Sequence, residues 1–111
     1  MVGGGGLEAV PYAGRVQTDP ELDRLRGSID NLDTAIVSLL AERFKITQQI
    51  GLLKRERGLS PADPDREVEQ IARLRQLASQ SNLDPEFAEK FLTFIVAEVV
   101  RHHAAIQSSQ P

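Results

Sequence analysis

A chain of 111 residues with a net charge of −3 and no cysteine is one domain by length. Disulfides and thiolate metal sites are excluded, and the charge argues against a general nucleic-acid binder, which carries a basic patch. No apolar run approaches the ~20 residues that span a bilayer, and no charged region followed by an apolar stretch marks a signal peptide, so no membrane partner is expected and the cytoplasm is the default compartment.

Residues 1–19 read as a flexible N-terminal tail, with the helical domain at 20–111. Gly3 to Gly6, Pro11, Gly14 and Pro20 oppose regular structure. The glycine run lacks a following Gly-Lys-Ser/Thr, so it is no phosphate loop.

The first helix is predicted from about Pro20 to Arg57, with Thr18 or Asp19 as its cap and Pro20 in the first turn. Its apolar residues follow at alternating steps of three and four: Leu22, Leu25, Ile29, Leu32, Ile36, Leu39, Ile46, Ile50 and Leu53. That rhythm is a helix seam. Arg43 interrupts it where a leucine belongs. A guanidinium stays charged, and burying one unpaired costs several kcal/mol. An anion, either a protein carboxylate or a ligand, is expected to meet it.

About 38 residues at ~1.5 Å each make a rod of roughly 55 Å. Two shorter helices cannot cover such a seam, so a second copy of the chain is expected to pack on it as a twofold dimer. An extended coiled coil is the simpler alternative. Gly58 should end the helix, ahead of a loop through Ala62.

Asp63-Pro64 opens a second helix, an N-cap followed by proline at the first position. Its apolar positions are Val68, Ile71, Ala72, Leu74, Leu77 and Ala78, and Ser79 to Asn82 break the pattern. Asp84-Pro85-Glu86 opens a third in the same way. It carries Phe87, Phe91, Phe94, Ile95, Val99 and Ile106, and should fray after Gln107. No segment shows the period of two that a strand needs. The fold class is all-α.

Among the cations, Lys54 lies eleven residues after Arg43, about three turns plus roughly 20°, so the two share a face roughly 16 Å apart. Their side chains can converge on one small molecule. Arg26 lies roughly 25 Å before Arg43 on a different face, and reaches such a site only from a partner chain. Each of these cations alone also reads as a solvated side chain. Asp63 and Asp65 suit the start of the second helix, whereas Arg66 there is mildly unfavourable and a ligand carboxylate resolves it. His103 falls on or beside the apolar stripe of the third helix, where a satisfied core histidine is the plain reading. Glu98 and His102 have metal-clamping spacing, but no ligand-rich set accompanies them. No nucleophile with its base is visible.

Taken together, Leu25-Arg26-x-x-Ile29-Asp30-x-Leu32-Asp33, Leu40-Ala41-Glu42-Arg43, Ile50-Gly51-x-x-Lys54 and Asp63-x-Asp65-Arg66-Glu67 resemble the all-helical chorismate mutases over roughly residues 20–107. Each piece is weak alone, and their order and spacing are specific. The resemblance implies an intertwined helical homodimer of three-helix chains, rearranging chorismate to prephenate on the route to phenylalanine and tyrosine, without metal or other cofactor. It implies that Arg43 and Arg66 bind substrate carboxylates, with Arg26 arriving from the other chain. Lys54 would contact a carboxylate and the ether oxygen. Glu67 and the backbone near Asp63 would hold the ring hydroxyl. Gly51 would allow close helix approach.

Two positions depart from the family pattern. His103 stands where glutamine is common and where other members use an ionisable residue; it is expected to donate to the ether oxygen, as an imidazolium or as the neutral tautomer with its hydrogen on the correct nitrogen. Val99 stands where a hydroxyl side chain is common, which puts one carboxylate contact in doubt. Two other functions fit parts of the pattern. An isochorismate pyruvate lyase-like enzyme shares the cationic helical pocket. A non-catalytic helical dimerisation module explains the seam but not Arg43 or Arg66.

Overall fold

A computed structural model describes residues 19–109. Three helices follow in chain order: α1 (Pro20–Arg57), α2 (Pro64–Gln80) and α3 (Pro85–Ser108). No strand occurs among the described residues. The expected all-α class and the three helices are therefore observed. The tail reading of residues 1–18, and Thr18 as a cap, lie outside the described residues.

Each helix starts where a side chain can satisfy its free N–H groups. Asp19 Oδ1 accepts from the backbone N–H of Glu21 at 3.0 Å and of Leu22 at 3.3 Å. Asp63 Oδ1 accepts from the Arg66 N–H at 3.2 Å, and Asp84 Oδ1 from the Glu86 N–H at 3.0 Å.

The ends of α1 and α2 repeat one device. Gly58 takes φ +65°, the Leu59 N–H reaches the Lys54 carbonyl at 2.8 Å and the Gly58 N–H reaches that of Arg55 at 3.2 Å. Asn82 takes φ +60°, and the Leu83 N–H reaches the Ala78 carbonyl at 2.8 Å. Both are left-handed terminations that use up otherwise orphaned carbonyls.

The chain divides into two units, residues 1–40 and 41–111. In the described part of the first, the stripe is bare: Leu25, Ile29, Leu32, Ile36 and Leu39 are all exposed, the last at 69%.

In the second unit, α2 and α3 form an antiparallel-type hairpin across a short turn, and small residues meet there. Ala78, Ala88, Leu92 and Ile95 are its buried apolar side chains. Arg75 donates to Glu89 at 2.9 Å between the two helices. The inward face of α3 is thus Ala88, Leu92, Ile95 and His103, spaced at helical intervals. The expected Phe87, Phe91 and Phe94 lie one residue round the helix and are exposed. Val68 and Leu77 of α2 are exposed as well.

Candidate active site

The second half of α1 turns a definite face inward. Arg43, Thr47, Ile50 and Lys54, at steps of four, three and four, line one wall of a cavity of about 100 Å³. The loop and α2 supply Asp63, Glu67 and Gln70, and α3 supplies Val96, Val99 and His103. Of the eight residues expected to form a site, six therefore border one space: Arg43, Lys54, Asp63, Glu67, Val99 and His103. Arg66 lines an adjoining cleft that also contains Arg43. Arg26 is exposed and belongs to the first unit.

Helix geometry and termination hold these groups in place. The left-handed turn at Gly58 brings the loop back over the end of α1. Lys54 Nζ then donates to the Pro61 carbonyl at 3.1 Å. An ammonium has three donors, so two remain for a ligand. Asp63 is tied up at the start of α2. Glu67, half-buried, has no salt-bridge partner among the described residues.

Arg43 carries the sharpest signal. Its Nη1 is buried and has no hydrogen-bond partner among the described residues. Among the described residues, no carboxylate supplies the anion that the sequence calls for. An unmet guanidinium nitrogen beside a cavity is a site prepared for an acceptor.

His103 is the most buried polar residue among the described ones, 2% exposed. Its Nε2 lies 2.7 Å from the Thr47 carbonyl oxygen. A carbonyl only accepts, so Nε2 carries the hydrogen. Nδ1 is buried and unpartnered among the described residues. The neutral ring therefore offers only a lone pair at Nδ1. The ring donates from that atom only as imidazolium. The sequence left a neutral donor open, and the Thr47 carbonyl takes that hydrogen instead.

Gly51 makes this arrangement possible. A Cβ there would fall 2.6 Å from His103 Cδ2 and 2.9 Å from Ile106 Cδ1. The space a side chain would need is occupied by the imidazole. Farther along, Arg55 donates to the Ile106 carbonyl at 3.4 Å and the Gln107 amide to the Leu59 carbonyl at 2.7 Å, fastening the end of α3 to α1 and its loop.

His102 faces elsewhere, against Phe44 with ring centroids 5.6 Å apart. The Glu98 carboxylate is engaged by Arg101, whose guanidinium holds it below the usual carboxylate range. That contact uses the acid that the Glu98/His102 spacing offered to a metal.

The site is a small, cation-walled space with apolar sides and two acids, Asp63 and Glu67, in its lining. A family model for chorismate mutase type II matches residues 25–104. The chain belongs to that family. Among related proteins, the T-protein of Enterobacter agglomerans is 33% identical over 78 residues, 70% of this chain and 21% of that protein. A chorismate mutase of Methanocaldococcus jannaschii is 29% identical over 87 residues, 78% of this chain and 84% of that protein. A 4-amino-4-deoxychorismate mutase of Streptomyces pristinaespiralis is 28% identical over 93 residues, 84% of this chain and 72% of that protein. The chain spans about a fifth of the length of the T-proteins it matches.

Thr47, Ile50 and Gln70 also line the cavity; Ile50 was expected only as part of the apolar seam, and Thr47 and Gln70 were not singled out in the sequence. Thr47 and Ile50 follow Arg43 at helical spacing, which was the available signal. Gln70 sits one turn after Glu67 in the same way.

Proposed function

We propose that this chain is a chorismate mutase, converting chorismate to prephenate by a Claisen rearrangement. The observation that carries the reading is the buried, unpartnered Nη1 of Arg43 in a cavity shared with Lys54, Glu67 and His103. In the reaction the ether C–O bond breaks as a C–C bond forms within one molecule. No atom is gained or lost, and no covalent intermediate with the protein is needed.

The inventory suits that chemistry. Arg43 and Arg66 hold substrate carboxylates and fix the compact reactive conformer. Lys54 contacts a carboxylate and the ether oxygen, on which negative charge grows in the transition state. His103 is the second donor to that oxygen. Fixed donors aimed at developing charge favour the transition state over the ground state. Glu67 and the backbone at Asp63 hold the ring hydroxyl, and Val99 packs against the substrate without a polar contact.

The working form in this proposal is a homodimer, with Arg26 completing the partner's site. The bare aliphatic stripe from Leu25 to Leu39 supports it, because a continuous apolar strip of this length is seldom left in water. A dimerisation module without catalysis accounts for the stripe but not for an unmatched guanidinium at a cavity wall.

Purified protein should consume chorismate, with prephenate as the product by chromatography. Persistence of chorismate at micromolar enzyme refutes the proposal. Release of pyruvate from isochorismate, with chorismate untouched, assigns the lyase instead.

A further inference from the structure

The apolar rhythm of α3 gives out after Gln107, yet the helix runs on to Ser108. Its last turn is knitted closed. The Ser109 N–H reaches the Ala105 carbonyl at 3.1 Å, and the Ser109 hydroxyl donates to the Ile106 carbonyl at 2.8 Å. That order presents the Gln107 side chain to the loop that follows α1. Its Nε2 donates to the Leu59 carbonyl at 2.7 Å, the one hydrogen bond between α3 and residues 58–62 among the described residues.

Leu59 is also where the loop grips Lys54. The Leu59 N–H donates to the Lys54 carbonyl at 2.8 Å. Two residues on, the Pro61 carbonyl accepts from Lys54 Nζ at 3.1 Å. The loop therefore holds Lys54 at its backbone and at its ammonium. A lysine stem is flexible, so the ammonium stays in place only as well as Pro61 does. Gly58, Leu59 and Ser60 are exposed, and a segment with so little buried surface opens at low cost. A glutamine that reaches a nearby carbonyl at a helix end would be ordinary surface chemistry. This one closes on the turn that aims a cation into the cavity.

We propose that Gln107 is a positioning residue of the site, clasping the loop to α3 and so fixing the Lys54 ammonium. It does not line the cavity, and it acts through Leu59 and Pro61. Arg55 donates to the Ile106 carbonyl at 3.4 Å and ties the same turn of α3 to the end of α1, which gives the clasp a fixed base. Misplacing a group by ~1 Å can cost about 10²-fold in rate. The loss here is smaller, because Lys54 keeps its own bond to Pro61. The inference rests on reading the cavity as the chorismate site, but one arm of its test needs no substrate.

Lysine-selective carbon labelling of the full-length protein lets the lysine Cε–H signals be followed by NMR, with the exposed Lys45 and Lys90 as internal references. Gln107→Leu removes the donor at similar size and without charge. Gln107→Arg keeps an N–H donor of similar reach. In Gln107→Leu the Lys54 signal should move toward those of Lys45 and Lys90, and in Gln107→Arg it should stay near the parent's. kcat/KM for chorismate should fall about fivefold in Gln107→Leu, the equivalent of one hydrogen bond of ordinary net strength, and recover in Gln107→Arg. Gln107→Leu combined with Ser108→Arg carries the added charge without the clasp and should stay low. Circular dichroism checks that each variant folds. An unmoved Lys54 signal or full activity in Gln107→Leu overturns the proposal. So does a loss that Gln107→Arg does not recover, or a recovery in the combined variant. Absence of chorismate turnover in the parent removes the mutase reading instead, and the Lys54 signal still decides the clasp.

Discussion

Gly51→Ala separates a tight helix contact from simple helix propensity. In an open helix the change should stabilise by about 1 kcal/mol, because glycine is that much poorer than alanine. Here the new methyl meets His103 Cδ2 at 2.6 Å and Ile106 Cδ1 at 2.9 Å. Ile106 can yield, since the contact is the end of a flexible chain. The imidazole cannot yield freely, because its Nε2 is held 2.7 Å from the Thr47 carbonyl. Overpacking of this kind costs about 1–3 kcal/mol. Displacing the ring until that bond breaks adds about 1–3 kcal/mol for a buried group left unmet. Setting these against the propensity gain, the expected net loss is about 3 kcal/mol, or roughly 15 °C in Tm for a domain of this size. Gly27→Ala is the control, since nothing lies within 4 Å of a Cβ there, and it should gain about 0.5–1 kcal/mol. Urea and thermal unfolding at one fixed protein concentration measure both. If Gly51→Ala melts at or above the parent, the seating of His103 against α1 is not as described.

Arg43→Leu should remove an unmet buried nitrogen and leave unfolding stability equal or higher, while kcat/KM for chorismate falls by about 10²–10³; equal activity would show that the guanidinium serves packing alone. With the Nε2 hydrogen committed to Thr47, any contact of this side chain with the ether oxygen runs through Nδ1. His103→Phe, which has no donor, should lower kcat/KM for chorismate by about 10²-fold, while His103→Gln, whose amide donates, should keep most of it; equal activity in the two variants would exclude position 103 as the donor.

Helix ends were legible because they are written in local chemistry. Asp19, Asp63 and Asp84 each precede a proline, and Gly58 permits a left-handed turn that other residues resist. Asn82 does the same job for α2 with a weaker signal, since asparagine is common in loops of every kind. The inward face of α3 was legible in part: Ile95 and His103 are buried where the apolar rhythm puts them, while Phe87, Phe91 and Phe94 are exposed and Ala88 and Leu92 take the buried places. Two apolar series run side by side there, Phe87-Phe91-Phe94 and Ala88-Leu92-Ile95, and hydrophobicity favours the aromatic one. Close approach of α2 and α3 selects the other, because Ala78 and Ala88 leave room where phenylalanine would not. The candidate site was readable through its charges. Arg43 and Lys54 announce themselves by breaking or flanking an apolar rhythm. The acceptor of His103 did not, because a backbone carbonyl carries no side-chain signature. Gln70 stayed hidden for another reason: a polar residue on a helix looks solvated until a neighbouring helix is placed beside it.

The stripe and the cavity are consecutive stretches of one helix, and the change of role falls at Arg43. Before it, Leu25 to Leu39 are exposed; after it, Thr47, Ile50 and Lys54 line a space with α2 and α3. Burying a leucine or isoleucine side chain contributes about 1.5–3 kcal/mol, so five such residues per chain represent on the order of 10 kcal/mol that the single chain does not realise. In the proposed dimer that energy brings Arg26 to the partner's cavity, so stability and catalysis share one interface. Leu32→Glu puts a charge at the middle of the stripe, where burial without a partner costs several kcal/mol. Sedimentation should show a monomer, and chorismate turnover should fall with dissociation rather than with unfolding of α2 and α3. Turnover should return as protein concentration rises, because association follows mass action. A variant that sediments as a monomer and keeps full activity would mean that one chain makes a complete site, and Arg26 would have no part in it.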